Sequence, residues 1–229
     1  SMGGLLIVLG ITISTLLWAP IQNPLMPLFL INLICFCGIG FYDDYRKVVY
    51  QDRDGISGKL KLLLQTLIAC GATYAISQMP EVGAYSQDLM FPFFKEPILK
   101  LPLWGAMIFS SLVLIGSSNA VNLTDGLDGL ATGCMIICAG TFIIFAYLSG
   151  HFKFAEYLNI PYIRGAGEVC VFGAAIVGAC IGFLWHNCHP AKMFMGDTGS
   201  MALGGSIGLI AILVKQELTL VIVGGIFVW

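Results

Sequence analysis

Long apolar runs recur along this chain, each too long and too uniformly apolar to be the half-buried stripe of a soluble helix. Eight can be drawn, at residues 2–19, 25–42, 60–79, 102–118, 127–149, 168–185, 200–214 and 218–229. A hydrocarbon core about 30 Å thick takes about 20 helical residues. Lipid offers no partner to backbone N–H and C=O groups, so spanning segments are helices or strands of a closed barrel, and barrel strands alternate in polarity. These runs do not alternate. They predict an all-α polytopic transmembrane helical bundle, a single domain over residues 1–229 with about eight membrane helices, the last one cut short.

Composition agrees: 58% of residues are hydrophobic and 10% charged, against about 25% charged in a soluble domain. A net charge of −2 without a basic face excludes a nucleic-acid partner. Cys35, Cys37, Cys70, Cys134, Cys138, Cys170 and Cys180 lie inside apolar runs without C-x-x-C spacing and are expected as small hydrophobes in helices. His186, Cys188 and His189 form a tight group, but no second ligand group stands at a usual zinc spacing. The chain opens on an apolar run with no basic leader segment and ends inside another, so both ends are expected to be cuts in a longer protein.

Consecutive connections must fall on opposite sides of the bilayer. Those at 42–59, 119–126 and 186–199 hold nearly all the polar motifs, whereas those at 19–24, 80–101 and 150–167 carry Pro, Gly and aromatic residues suited to interfacial turns. Arg46, Lys47, Arg53, Lys59, Lys61 and Lys192 lie on the motif side, against Lys95, Lys100, Lys153, Arg164 and Lys215 on the other. The slight excess places the motif side in the cytoplasm. Small-residue faces at 173–178 and 204–208 suit close helix packing.

The first motif is Asp43-Asp44-Tyr45-Arg46-Lys47, directly after the second run. Two aspartates held in hydrocarbon would cost about 6 kcal/mol, so the pair belongs at the surface or in a wet cleft. Adjacent carboxylates repel and call for a cation, either a divalent metal or the neighbouring Arg46 and Lys47. In the second, from Asn119 to Leu130, Asp125 and Asp128 are spaced to share one side of a helical turn. Asn119 and Asn122 feed the same cleft, and Gly126 and Gly129 allow close backbone approach. Thr124 or Asp125 could instead simply cap the next helix. In the third, Gly196, Gly199 and the free N–H groups of a helix start could cradle a phosphate, with Asp197 holding its metal. Asp197 or Ser200 as a plain cap is the alternative there. Intramembrane carboxylates also mark transporters, but these cluster at helix ends on one side rather than crossing the bilayer.

These motifs, Asp43-Asp44-Tyr45-Arg46-Lys47, Asn119-Ala120-Val121-Asn122-Leu123-Thr124-Asp125-Gly126-Leu127-Asp128-Gly129-Leu130 and Phe194-Met195-Gly196-Asp197-Thr198-Gly199-Ser200, resemble signatures of the polyprenyl-phosphate N-acetylhexosamine-1-phosphate transferases. The likeness covers essentially the whole chain. Met2-Gly3-Gly4 and Pro190-Ala191 favour the branch that handles muramoyl-pentapeptide. The resemblance implies a ten-helix parent, matched here from about its second helix into its ninth. It implies a multi-pass protein of the bacterial inner membrane, a homodimer, that moves phospho-MurNAc-pentapeptide from UDP-MurNAc-pentapeptide to undecaprenyl phosphate with Mg2+, giving lipid I and UMP. A sister branch uses UDP-GlcNAc. By motif match Asp43, Asp44 and Asp197 are catalytic, with Asp197 ligating the metal and Asp43 and Asp44 beside the lipid phosphate. Asn119, Asn122, Asp125, Gly126, Leu127 and Asp128 would line the nucleotide cleft. Phe194 would stack on uracil, Asn187 polarise the site, and Lys47, Lys59 and Lys61 hold phosphates.

Overall fold

Asp43 and Lys47, four residues apart, pair as helical neighbours do, and this carries the second helix well past the end of its apolar run. The computed structural model describes residues 2–51, 55–91, 94 and 96–227; Arg53, Lys95 and Trp229 lie outside the described residues. Its helices are α1 (Gly4–Trp18), α2 (Leu25–Val49), α3 (Gly58–Ser77), α4 (Pro80–Gly83), α5 (Leu103–Thr124), α6 (Leu130–Gly150), α7 (Phe152–Leu158), α8 (Val169–Asn187), α9 (Gly196–Leu213) and α10 (Glu217–Val223). A two-residue hairpin, β1 (Asp88–Leu89) with β2 (Leu99–Lys100), pairs antiparallel between α4 and α5.

The chain is a multi-pass helical bundle. Among the described residues, α2, α3, α5, α6, α8 with its preceding 3-10 turn, and α9 are long and apolar enough to cross a membrane. Two of the eight expected spans fall short. Helix α1 has 15 residues, and the eighth run is broken. After α9 the chain turns through Lys215 at φ +56°, and the seven-residue α10 gives way to a 3-10 turn at Gly224–Phe227. Charges at this junction interrupt the apolar pattern. Lys215, counted among the loop charges opposite the motif side, is buried and ion-paired at 2.6 Å with the fully buried Glu217.

Helix α9 is the central pillar, with every residue from Thr198 to Leu213 buried. It packs against α2 on one side and α5 on the other. Its small residues are the reason it fits: a Cβ on Gly204 would meet the Ser117 carbonyl at 2.5 Å, and one on Gly205 would meet the Phe36 ring at 2.8 Å. Polar side chains tie the helices where backbones approach. Asn32 donates to the Gly205 carbonyl (3.1 Å), Ser117 to Gly204 (2.8 Å) and Ser118 to Met201 (3.2 Å). Of the other small-residue face, Gly173 packs on Ile143, whereas Gly178 faces open space. The outer faces of α1 and α3 expose Leu9, Ile13, Leu17, Leu63 and Leu67, the surface lipid requires.

The C-terminal ends of α2, α5 and α8 and the N-terminal ends of α1, α3, α6 and α9 gather at one end of the bundle. There the Gly3 and Gly4 N–H groups donate to the carbonyls of Phe194 and Met195 at 3.0 and 2.9 Å. This is the local use of the Met2-Gly3-Gly4 motif. Gly4 lies so close to Gly199 that a Cβ would meet its backbone at 2.2 Å.

Candidate functional site

Four of the five motif aspartates, Asp43, Asp44, Asp125 and Asp197, meet at the start of α9, while Asp128 lies against the segment that precedes it. Asp43 and Asp44 do not follow α2. They lie within it, buried, with a further turn and a half of helix beyond them. The polar stretch remains helical because of the Asp43–Lys47 pair and because Arg46 and Lys47 sit favourably at the negative end of the helix dipole. Asn119 and Asn122, expected in a loop, belong to the last turns of α5, and Asp125 is the residue that ends that helix.

The phosphate cradle expected at the α9 N-terminus is already filled. Asp44 accepts from the N–H of Asp197 (3.3 Å), the N–H of Thr198 (3.0 Å) and the Thr198 hydroxyl (2.6 Å). Asp125 accepts from the Gly196 N–H at 3.1 Å. Two carboxylates from other helices thus take the orphan donors that open every helix, and neither Asp197 nor Ser200 caps its own helix. Gly196 is at φ +72°, and a Cβ there would stand 2.5 Å from the Asp44 carboxylate. Gly40 lets α2 touch α9 at this point, where a Cβ would meet the Asp197 carbonyl at 2.1 Å. Gly199 serves packing against Gly4 and Met195 rather than an anion.

With its helix held, Asp197 turns its carboxylate into a charged cluster. Its Oδ2 is 2.6 Å from Lys61 Nζ and 3.5 Å from Lys47 Nζ. Lys47 also lies 2.5 Å from Asp43 Oδ2. The other Asp43 oxygen accepts the Ile56 N–H at 2.7 Å. Gly55, at φ +63°, folds the segment before α3 over Asp43, so closely that a Cβ would lie 2.6 Å from its Oδ1. Ligand oxygens of Asp43, Asp44 and Asp197 come within 4.8 Å of one another, the grouping among the described residues that could hold a metal ion. Hard carboxylate oxygens suit magnesium or calcium, and the ammonium groups drawn to the same oxygens mark the place as one for positive charge. Asp43 and Asp197 have the freer oxygens, so they fit the metal best.

The remaining candidates divide. Asn122 accepts from Ser200 Oγ at 2.6 Å, beside the cluster. Asp125 lies between the cluster and the α5–α6 turn, and burial, assisted by the nearby Asp197 and Asp44 carboxylates and opposed by the Gly196 N–H, pushes its carboxyl up to about 7. Asp128 is not on a shared helical turn with it: the segment between α5 and α6 is a run of turns, and Asp128 Oδ2 binds His189 Nδ1 and the Ala191 N–H, both at 3.1 Å. Gly126 and Leu127 are exposed on that rim, as is the Phe194 ring, 54% accessible.

Three candidates are placed differently from expectation. Asn187 is buried and fully employed. It accepts from the Gly129 N–H (3.2 Å) and the Thr132 hydroxyl (2.9 Å) and donates to the Met193 carbonyl (2.9 Å), pinning the two rim loops together instead of facing the site. Asn119 pairs amide to amide with Gln65 of α3, at 3.0 and 3.3 Å. Lys59 is exposed on the first turn of α3 and makes no ion pair with Asp197 among the described residues. No role had been expected for Thr198, Gln65 or the Gly55–Ile56 backbone, whose partners are distant in sequence; Ser200, a candidate cap, instead donates to Asn122, and His189, considered for a metal, pairs with Asp128. The cysteines are free thiols.

The chain is similar to known proteins. Residues 26–215 match the model of glycosyl transferase family 4. Over its whole length the chain is 49% identical to the phospho-N-acetylmuramoyl-pentapeptide-transferase of Neisseria meningitidis serogroup C (strain 053442), covering 63% of it. It is 49% identical to that of Methylacidiphilum infernorum and 50% to that of Desulfotalea psychrophila, covering 62% of each. The chain therefore spans somewhat less than two thirds of these relatives. The family match contains every aspartate and lysine of the cluster at the start of α9, and on its extent the chain belongs to glycosyl transferase family 4.

Proposed function

We propose that the protein of which this chain is part transfers phospho-MurNAc-pentapeptide from UDP-MurNAc-pentapeptide to undecaprenyl phosphate, producing lipid I and UMP in the inner membrane of a bacterium, with the α9 end of the bundle in the cytoplasm. The observation that carries this reading is the convergence of Asp43, Asp197, Lys47 and Lys61 at one wet end of the bundle, in a chain about half identical to enzymes named for that reaction. Asp197, with Asp43 adjacent, would hold a magnesium ion, which would supply neutralisation of charge on the pyrophosphate. As a homodimer the protein would present two such sites.

A phosphate monoester is largely dianionic at neutral pH, its second pKa lying near 6. An oxygen of the lipid phosphate attacks the β-phosphorus of the donor. A new P–O bond forms as the bond from that phosphorus to the bridging oxygen breaks, and UMP leaves with the electron pair. Asp43 orients the nucleophile and accepts its proton where one remains. Lys47 and Lys61 bind phosphate oxygens, Asn122 and Asp125 line the nucleotide cleft, and Phe194 stacks on uracil with Gly126, Leu127 and Asp128 beside it at the rim. Asp44 and Asn187 position this machinery through the backbone. The test is formation of radiolabelled lipid product by the full-length protein, offered UDP-MurNAc-pentapeptide and UDP-GlcNAc separately. Product from the first donor supports the reading. Product only from the second assigns the sister specificity, and none from either refutes transfer.

A further inference from the structure

The cluster at the start of α9 already holds two ammonium groups. Asp44 is spent on the backbone of α9, which leaves the carboxylates of Asp43 and Asp197 facing the ammonium groups of Lys47 and Lys61. A divalent cation on the Asp197 oxygen that already carries an ammonium group would stand less than about 5 Å from it, and like charges that close repel strongly. One ammonium must yield. Lys47 is tied to Asp43 on its own helix. Lys61 stands on another helix and pairs with Asp197. Its nitrogen lies 2.6 Å from Oδ2, on the oxygen a magnesium ion would approach to about 2.1 Å.

The geometry points to Lys61 and the divalent cation as alternative occupants of one position on Asp197. The cation displaces the Lys61 ammonium, which becomes available to the phosphates of the nucleotide donor. Lys61 is thus a place-holder that keeps Asp197 neutralised and aimed while the metal is away, and a phosphate ligand once the metal arrives. This rests on the transfer reading only for the identity of the donor. The exchange itself is a property of three side chains.

The experiment needs no substrate. Mn2+ binding to the full-length protein in detergent is followed by electron paramagnetic resonance, for the wild type, Lys61→Met and Lys59→Met. The last removes the same charge from the same helix without touching Asp197. Exchange predicts that Lys61→Met binds Mn2+ at least tenfold more tightly than wild type and that Lys59→Met stays within about threefold. Unchanged or weaker binding by Lys61→Met overturns the proposal, as does equal tightening by both variants, which reports general charge alone. Should Lys61→Met not fold, the wild type is decisive: Mg2+ should increase modification of Lys61 by a small amine reagent, and no increase refutes displacement. If these results hold while no lipid product forms, the exchange stands and the proposed reaction falls.

Discussion

Asp44→Ala should destabilise the protein by removing the cap that α2 provides for α9. The carboxylate accepts three bonds, from the Asp197 N–H, the Thr198 N–H and the Thr198 hydroxyl at 3.3, 3.0 and 2.6 Å. Hydrogen bonds to a charged group contribute about 1.5–3 kcal/mol each, and the longest contributes least. Relief of the buried charge offsets part of the loss, leaving a net cost of about 3 kcal/mol. For a chain of this size that lowers the melting temperature by about 6–12 °C. Asp44→Asn keeps one acceptor oxygen and should cost about 1–2 kcal/mol. The sharper version is a double-mutant cycle with Thr198→Val, followed by thermal unfolding in detergent. The hydroxyl bond predicts a coupling of about 1.5–3 kcal/mol between the two sites. Strictly additive losses, or an Asp44→Ala variant as stable as wild type, would refute the trans-cap and return Asp44 to the substrate.

Asn187→Ala should cost about 2–3 kcal/mol, because a buried side chain loses three bonds, and it should raise the KM for the nucleotide donor by loosening both rim loops; an unchanged melting temperature contradicts this role. Phe194→Ala should leave stability within about 0.5 kcal/mol, since the ring is more than half exposed, while weakening UMP binding about tenfold, with Phe194→Tyr restoring it; calorimetric titration with UMP measures both. Folding raises the Asp125 carboxyl to about 7, so it favours the protonated form. That contribution is complete below the unfolded value near 4 and is lost as pH rises through 7, at a scale of about 2–4 kcal/mol. Melting temperatures of the metal-free protein should fall from pH 4 to pH 8 more steeply than those of Asp125→Asn, and parallel curves would contradict the shift.

Most spans and all five aspartates were legible because apolar runs and carboxylates contrast sharply in a membrane sequence. What each carboxylate does was not. Asp44 meets its partners 153 and 154 positions away, and no local pattern records that a helix is capped by a different helix. The end of α2 was misjudged because hydropathy stops at the membrane surface while hydrogen bonding and the Asp43–Lys47 pair carry the helix onward to Val49. Asn187 carries the chemistry of a site residue, but burial beside Gly129 and Met193 makes it a brace. The broken eighth run depends on Lys215 and Glu217 neutralising each other inside the bundle, a pairing that charge-by-charge counting treats as exposure.

The most direct measurement is magnesium-dependent release of UMP from UDP-MurNAc-pentapeptide by the full-length protein with undecaprenyl phosphate, comparing wild type with Asp197→Asn. If the cluster at the start of α9 is the transfer centre, release requires both lipid and magnesium and falls at least a thousandfold in a variant that remains folded, on the scale of charge stabilisation in phosphoryl transfer. A folded Asp197→Asn protein that releases UMP at the wild-type rate would place the chemistry elsewhere.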